Sequence, residues 1–230
     1  MQTRIIGSVL PVLEIELQQG ERVIGVAEQL SWLTGGVALK TSLGGGSAGG
    51  GLFGLVSRAV SGAGLVTTEF HAENGPGMVG LAAKLPGQIV ELQVEGGGYV
   101  VHRHGFLCGS HGVTVESALQ QNLGASVFGG EGFVLQKIGG SGTAFVELGG
   151  EIVKYDLAAG QSIAVHPGHV GLFDAGVQFE MTSLSGVRST FFASGDLFMA
   201  RLTGPGRVWL QTLTLPGLAH AISHYLPKQG

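Results

Sequence analysis

One pattern occurs three times along this chain, and this repetition constrains the fold more than any single motif does. A run of alternating apolar residues leads to a glycine turn and a second apolar run, with turn glycines at Gly20, Gly97 and Gly160. A second pattern has apolar residues on both sides of a Gly-x-Gly turn. Its three turns lie at residues 75–77, 140–142 and 204–206. The spacing of both series gives a repeat of about 65 residues.

The repeat runs almost from end to end, so the sequence predicts one domain over residues 1–230 and not two independent ones. The units assigned from the pattern are residues 8–87, 88–150 and 151–214, followed by a tail at 215–230. The three copies preserve turn glycines and apolar faces, but no polar residue recurs at matching positions. What the repeat maintains is therefore a shape.

The apolar residues of each unit alternate with polar residues, which is typical of strands buried on one face. Val90, Leu92 and Val94 fall on one side of such a strand. The corresponding residues of the third unit, which we also expect to face the core, are Val153, Tyr155 and Leu157. Most of the 43 glycines lie between such runs, as turn residues do. The sequence therefore predicts an all-β fold, a sandwich or a barrel.

Three segments depart from this rhythm. Residues 44–51, GGGSAGGG, predict a loop, and their match to G-x-G-x-x-G lacks the strand–turn–helix setting of a nucleotide site. Residues 116–128 place polar side chains between apolar ones and predict an irregular excursion. Apolar residues at helical spacing predict a short C-terminal helix over residues 217–225.

Charge is scarce in this chain. Only 12% of the residues are charged, 12 basic and 16 acidic, which is about half the usual share for a soluble domain. The mean hydropathy is +0.36. Because large exposed apolar patches are rare on monomers, we expect the chain to bury part of its exterior against copies of itself. The composition predicts a homo-oligomer.

Charge and cysteine content also exclude several classes of protein. A net charge of -4 with scattered basic residues argues against a nucleic-acid partner, since phosphate binding needs clustered positive charge. The single cysteine, Cys108, excludes an intramolecular disulfide framework. Residues 5–13 are interrupted by glycine and proline and do not form a secretory signal, and no stretch approaches the roughly 20 apolar residues of a membrane helix. We therefore expect a cytoplasmic protein without stable membrane insertion.

Several segments together resemble one known family. The segment Gly50–Phe70, GGLFGLVSRAVSGAGLVTTEF, resembles a signature of the family named for the fungal mitochondrial biogenesis protein "altered inheritance of mitochondria", which has many bacterial members. The resemblance continues through the segments Gly130–Phe133, Gly150–Val153 and Gly204–Thr212, and so covers nearly the whole chain. The chain departs from the family at 193–196, ASGD, where a Gly-Glu-Gly triplet is usual.

The resemblance carries its own expectations. It implies a fold similar to the β-structure of the tryptophan-attenuation protein, a short double-stranded β-helix or sandwich repeated in tandem and assembled as a trimer. It implies no enzymatic activity, no cofactor and no defined site residue. The mitochondrial members are linked with inner-membrane organisation, which suggests a scaffolding role.

Two histidines near the second glycine turn form the sharpest chemical candidate. His102 and His104 are two residues apart, and at this spacing two side chains of one strand point to the same face. Cupin-type enzymes present two metal ligands in this way. The carboxylate expected three or four residues later is missing, and Cys108 stands there instead. A thiolate ligates a soft metal, so this set remains a metal-site candidate.

His166 and His169 occupy the matching place in the third unit. A shared metal site would need a bulge, because His166 is out of phase with Ile163 while His102 is in phase with Val100. The alternative is that these histidines bond to the backbone or face water. His71, His111, His220 and His224 have no partner motif and are expected at the surface.

Two main hypotheses remain. The first is a non-catalytic, homo-oligomeric β scaffold or interaction module. The second is a cupin-like, metal-dependent enzyme or sensor that uses His102 and His104 with Cys108, His166 or His169. A third, RNA binding, rests on fold analogy alone and is opposed by the acidic balance.

Overall fold

The computed structural model describes residues 1–43, 66–121, 133–188, 196–223 and 225–226. These residues form seventeen β-strands, two 3-10 helices and one α-helix. The all-β architecture with a short C-terminal helix is confirmed. The loop predicted at 44–51 and His224 lie outside the described ranges.

Strands account for most of the described chain. The first five are β1 (Gln2–Ile6), β2 (Val12–Leu17), β3 (Arg22–Val26), β4 (Leu30–Leu43) and β5 (Val66–Ala82). The next six are β6 (Gly87–Val94), β7 (Tyr99–His102), β8 (Phe106–Ser110), β9 (Val113–Gln121), β10 (Phe133–Gly140) and β11 (Gly142–Gly149). The last six are β12 (Ile152–Leu157), β13 (Ser162–Val165), β14 (Val170–Asp174), β15 (Gln178–Arg188), β16 (Asp196–Thr203) and β17 (Gly206–Gln211).

The helical elements are short. They are η1 (Ala27–Gln29), η2 (Pro167–His169) and the terminal α1 (Leu215–Ser223). Helix α1 begins two residues before the predicted start, where the Thr214 hydroxyl accepts a hydrogen bond from the Gly217 N–H at 3.1 Å.

One pairing pattern occurs three times. We call β2–β5, β6–β11 and β12–β17 the first, second and third repeats. In the second, β6 and β8 flank β11, whereas β7 and β9 flank β10. The third repeat pairs its six strands in the same way. In the first, the long β4 and β5 each take the place of two strands. Each repeat thus contains a front half-sheet, made with its first strand, and a rear half-sheet, made with its second.

Consecutive repeats are joined edge to edge. Strand β3 of the first repeat pairs with β8 of the second, with Ile24 opposite Gly109. Strand β7 of the second pairs with β14 of the third, with Val101 opposite Leu172. The rear half-sheet of one repeat therefore continues into the front half-sheet of the next.

A β-bulge recurs at the same place in all three front half-sheets. The register slips by one residue at Ser31, at Leu107 and at Gly171. After the bulge, Trp32 lies opposite Gly80, Cys108 opposite Phe145, and Leu172 opposite Trp209. These three cross-strand pairs are equivalent positions of the three repeats.

Each repeat has its own apolar cluster, and the second and third repeats cover the clusters of the repeats before them. The first cluster includes Leu13 and Ile15 of the first repeat, together with side chains from the second. Those covering side chains include Ile89, Cys108 and Phe145. Their counterparts, which cover the second cluster from the third repeat, are Ile152, Leu172 and Trp209. Among the residues that the structure describes, none covers the third cluster in this way.

Two sequence-based predictions are wrong in detail. Val153 and Tyr155 were expected to face the core, but they are 40% and 42% exposed, because none of the described residues covers the third cluster as the following repeats cover the first two. The excursion predicted at 116–128 is wrong for residues 116–121, which continue β9. The remainder of that segment lies outside the described residues.

Candidate functional site

The two ends of the repeat array are open. Among the described residues, β13 of the third repeat pairs with β16 alone, whereas its counterparts β3 and β7 pair on both edges. At the other end, the beginning of β4 pairs with β5 alone, whereas its counterparts β8 and β14 pair on both edges. The array therefore has a free edge of a rear half-sheet at one end and a free edge of a front half-sheet at the other.

The third cluster is open on its front face. Tyr155 of β12 corresponds to Ile15 of β2 and Leu92 of β6 by its distance from the glycine turn. Ile15 is 0% exposed and Leu92 is 4% exposed, because the following repeat lies over them. Within the described ranges, no following repeat lies over Tyr155 and its neighbour Val153, which are both exposed. We call these two residues, with Ile163, the tail surface.

The first repeat has an exposed aromatic residue at the complementary place. Trp32 is the counterpart of Cys108 and Leu172, which are buried, yet Trp32 is 41% exposed. Its indole ring lies over Gly80, which stands where the other repeats have Phe145 and Trp209. The ring of Trp32 thus takes the place of the aromatic side chain that covers a preceding repeat. We call Trp32, Gly80 and Val12 the head surface.

A buried polar side chain links consecutive repeats. Glu147 Oε2, at the end of β11, accepts a hydrogen bond from the Lys84 N–H at 2.9 Å. Gln211, the counterpart of Glu147 on β17, accepts one from the Gly149 N–H at 3.0 Å. Burial raises the pKa of the Glu147 carboxyl, although the Lys84 N–H and the Gln29 side chain oppose the shift. The sequence analysis did not identify Glu147 and Gln211 as equivalent residues. Aligning the C-terminal ends of β11 and β17 could have found them.

The structure separates His102 and His104. The expectation that both lie on one strand is wrong, because β7 ends at His102 and His104 lies in the following turn. His102 Nε2 lies 3.2 Å from the backbone oxygen of Glu147, and since a carbonyl can only accept, Nε2 carries the proton. Burial lowers the pKa of His102 to about 4, so this imidazole is neutral at pH 7.

The other metal-ligand candidates lie apart from this pair. Cys108 is packed in the first apolar cluster, and burial raises the pKa of its thiol. His166 and His169 lie edge to face with ring centres 5.8 Å apart. His169 Nδ1 donates to the Gln211 backbone oxygen at 2.8 Å, and burial lowers the pKa of His166. Within the described part of the chain, no three His, Cys, Asp or Glu side chains are close enough to hold a metal ion.

The remaining histidines lie nearer the surface. His71 Nδ1 is 4.0 Å from a Glu73 oxygen, and His111 Nδ1 is 3.6 Å from one of Glu69. The ring of His111 is 55% exposed. None of these contacts connects a histidine to the His102 turn.

His102, Arg103 and His104 line a cavity of about 290 Å³. It lies between the repeats, where the connection after β5 meets the end of β11 and the segment that leads into α1. Its walls are mostly apolar. The sequence-based reading found the histidines but not the cavity, because the cavity depends on how three repeats pack.

Comparisons with known proteins agree with this architecture. An uncharacterized protein of Streptococcus pyogenes serotype M6 is 30% identical over 222 residues, which is 94% of this chain and 87% of that protein. The crystal structure of another Streptococcus pyogenes protein superposes with a TM-score of 0.78 at 25% identity, covering 98% of this chain and 99% of that one. None of the described helices is long and apolar enough to cross a membrane.

The family assignment rests on nearly the whole chain. Residues 3–213 match the family described as mitochondrial biogenesis AIM24. This range spans all three repeats and both open ends. The resemblance drawn from the sequence is thereby confirmed, and the chain belongs to the AIM24 mitochondrial biogenesis family.

Proposed function

We propose that this protein is a non-catalytic β scaffold that assembles head to tail from identical copies. The tail surface of one copy receives the head surface of the next. The observation that carries this proposal is that two side chains at opposite ends of the array are exposed, Tyr155 at 42% and Trp32 at 41%. The equivalent side chains at the junctions between repeats are buried.

The backbone supports the same arrangement. Both junctions inside the chain join the rear half-sheet of one repeat to the front half-sheet of the next. Strand β13 and the beginning of β4 are the strands that would form a third such junction. A free strand edge is a template for pairing with another chain, and the internal junctions define the partner that fits. Joining two copies in this way repeats a contact that the chain already makes twice.

The proposed interface joins different surfaces of the two copies, so it closes into a ring or extends into a filament. We favour a closed trimer, in which three chains contribute three repeats each, as the family resemblance implies. The low charge of the chain fits extensive burial between copies. A likeness to the tryptophan-attenuation protein and a cytoplasmic location belong to the same proposal, with no nucleic-acid partner.

The first test is the mass of the untagged protein in solution. Native mass spectrometry should give three chains of 23.5 kDa each, without smaller species at physiological concentration. The head-to-tail geometry is tested with two damaged variants. Trp32→Asp disrupts the head surface and Tyr155→Asp disrupts the tail surface, so each variant alone should be monomeric.

Mixing the two variants tests whether the head surface of one copy binds the tail surface of another. The intact tail of Trp32→Asp fits the intact head of Tyr155→Asp, so the mixture should form a one-to-one dimer and nothing larger. Leu39→Asp, which changes another exposed residue of β4, serves as the control and should leave the trimer intact. A monomeric wild type, or a mixture that stays monomeric while the control assembles, would contradict the proposal.

A further inference from the structure

A backbone hydrogen bond marks each step from one repeat to the next. The Gly87 N–H donates to the Val9 oxygen at 2.8 Å, and the Gly150 N–H donates to the Pro86 oxygen at 2.7 Å. Both donors stand ten residues before the turn glycine of their own repeat. Both acceptors stand eleven residues before the turn glycine of the preceding repeat. This bond therefore identifies the place where a following repeat begins.

The chain makes the same bond once more after the third repeat. The Leu213 N–H donates to the Gly149 oxygen at 3.1 Å, and Gly149 stands eleven residues before the turn glycine Gly160. Leu213 thus lies where a fourth repeat would begin. Two residues later the chain forms α1 and not a strand. Helix α1 therefore starts at the place that the first strand of a following repeat would take.

Helix α1 buries none of its side chains in the described part of the chain. Leu215 is 45% exposed and Ile222, two turns further along the same face, is 46% exposed. Leu226, four residues after Ile222, is 60% exposed. A helix of nine residues is marginal in water by itself, so its apolar face needs a surface to pack on.

Helix α1 does not supply the missing cover of its own third repeat. Tyr155 and Val153 of the tail surface stay exposed with α1 in place. Among the described residues that form the third apolar cluster, none comes from α1. The apolar face of α1 is therefore left for another molecule.

The first repeat carries exposed apolar residues at the matching place. Val9 is 65% exposed and Leu10 is 57% exposed. Leu10 stands ten residues before its turn glycine, so the repeating bond would join its N–H to Gly149 of the preceding copy. Leu213 already holds that oxygen. In a head-to-tail assembly, residues 9 and 10 of the next copy would thus lie beside the start of α1.

We propose that α1 packs on the next copy of this chain, with Leu215 and Ile222 against Val9 and Leu10 of that copy. This inference rests on the head-to-tail assembly proposed above and adds a second contact to it. All four side chains are uncharged and apolar, so the contact is stabilised by removing hydrocarbon surface from water.

Cross-linking identifies the partner of α1 directly. Leu10→Cys and Ile222→Cys are combined in the Cys108→Ser background, which has no other thiol. A short, flexible bismaleimide should join separate chains into covalent dimers and trimers, seen on denaturing gels. Gln18→Cys with Ile222→Cys is the matched control. Gln18 is also exposed but follows the other end of β2, so this pair should not link separate chains.

Sedimentation equilibrium measures how much the contact contributes. Ile222→Glu places a charge on the apolar face of α1 and should weaken association at least about tenfold. Ala221→Glu adds the same charge to another side of α1 and should leave the association constant unchanged. Leu10→Lys should weaken association as Ile222→Glu does. Combining the two should restore part of the loss, because opposite charges then face each other.

The outcomes separate this contact from the assembly itself. Links between chains, together with partial rescue in the double variant, support it. A trimer whose links stay within one chain or do not form overturns this inference and leaves the head-to-tail assembly in place. Equal association of Ile222→Glu and Ala221→Glu also overturns it alone. A monomeric wild type overturns both proposals.

Discussion

Gly80 lies beneath the indole ring of Trp32, and a β-carbon at this position would collide with the ring. The two residues face each other across β4 and β5 at the start of the repeat array. Gly80 is therefore the residue that allows Trp32 to lie on the head surface.

Gly80→Ala should weaken assembly without unfolding the chain. The added methyl group displaces the indole, so the head surface loses its fit, at a cost of about 1–3 kcal/mol for the junction. Sedimentation equilibrium measures the change in association constant. Gly97→Ala is the matched control, since a β-carbon on Gly97 has no neighbour within 4 Å. Equal association of the two variants would show that the Trp32 ring does not act in assembly.

Glu147→Gln should stabilise the protein at neutral pH, by on the order of 1 kcal/mol. Because burial raises the folded-state pKa of Glu147, its stabilising contribution is full below its ordinary pKa and is lost as the pH rises through the folded-state pKa. The amide accepts the same hydrogen bond without ionising, as Gln211 does. Urea unfolding at pH 4 and at pH 7 checks this, and the gain should be smaller at pH 4.

The reverse exchange, Gln211→Glu, provides the control. It introduces a buried carboxylate and removes the amide that donates to the Gly168 oxygen. This variant should lose more stability at pH 7 than at pH 4. A Glu147→Gln variant with the same pH profile as wild type would argue against a buried, ionisable Glu147.

His102 should make the fold sensitive to acid. Its pKa falls from 6.5 to about 4 on folding, so the unfolded chain binds the proton more readily, and stability declines as the pH falls from 6.5 towards 4. The shift corresponds to a loss of about 3 kcal/mol. His102→Gln should flatten this part of the stability profile, as measured by urea unfolding across the range. His111→Gln changes an exposed histidine and should leave the slope in place.

Cys108 should be inert in the folded protein. Its thiol is 1% exposed, and burial raises its pKa, so the reactive thiolate is disfavoured. Ellman's reagent should react only after the first junction opens, at a rate that rises with urea. Cys108→Ser should cost about 1–3 kcal/mol, since a hydroxyl replaces a thiol in an apolar cluster.

An exposed thiol provides the comparison for Cys108. Gln18→Cys places one on the surface, and in the Cys108→Ser background it should react at once. Fast reaction of Cys108 in the native wild type would mean that the first junction opens readily.

The sequence predicts the strands of this protein better than it predicts which faces are covered. Alternation at Val90, Leu92 and Val94 identifies a core face correctly, since the third repeat lies over it. The same alternation at Val153 and Tyr155 does not, because cover depends on a following repeat and not on the local pattern. Burial in a repeat array is a property of the neighbour as much as of the strand.

The candidate site could be predicted from the sequence only in part, for a related reason. The spacing of His102 and His104 predicts a common face only if the strand continues, and β7 ends at the first of them. Nothing in the sequence identifies Trp32 as the counterpart of Cys108 and Leu172. The equivalence follows from the bulge that the three strands share in the structure. The family assignment, in contrast, follows from motifs along the whole chain and did not depend on side-chain packing.

The recurring bulge also determines which length changes this fold tolerates. Ser31, Leu107 and Gly171 are each one residue out of step with the opposite strand, and side chains alternate along a strand. The residues on the two sides of each bulge already lie opposite neighbouring residues of the partner strand, so deleting the bulge residue would remove the bulge and leave the other side chains on their present faces. Single-residue deletions are therefore compatible with the fold at these three positions and in the turns between strands, whereas elsewhere within a strand a single insertion or deletion turns the following side chains to the opposite face.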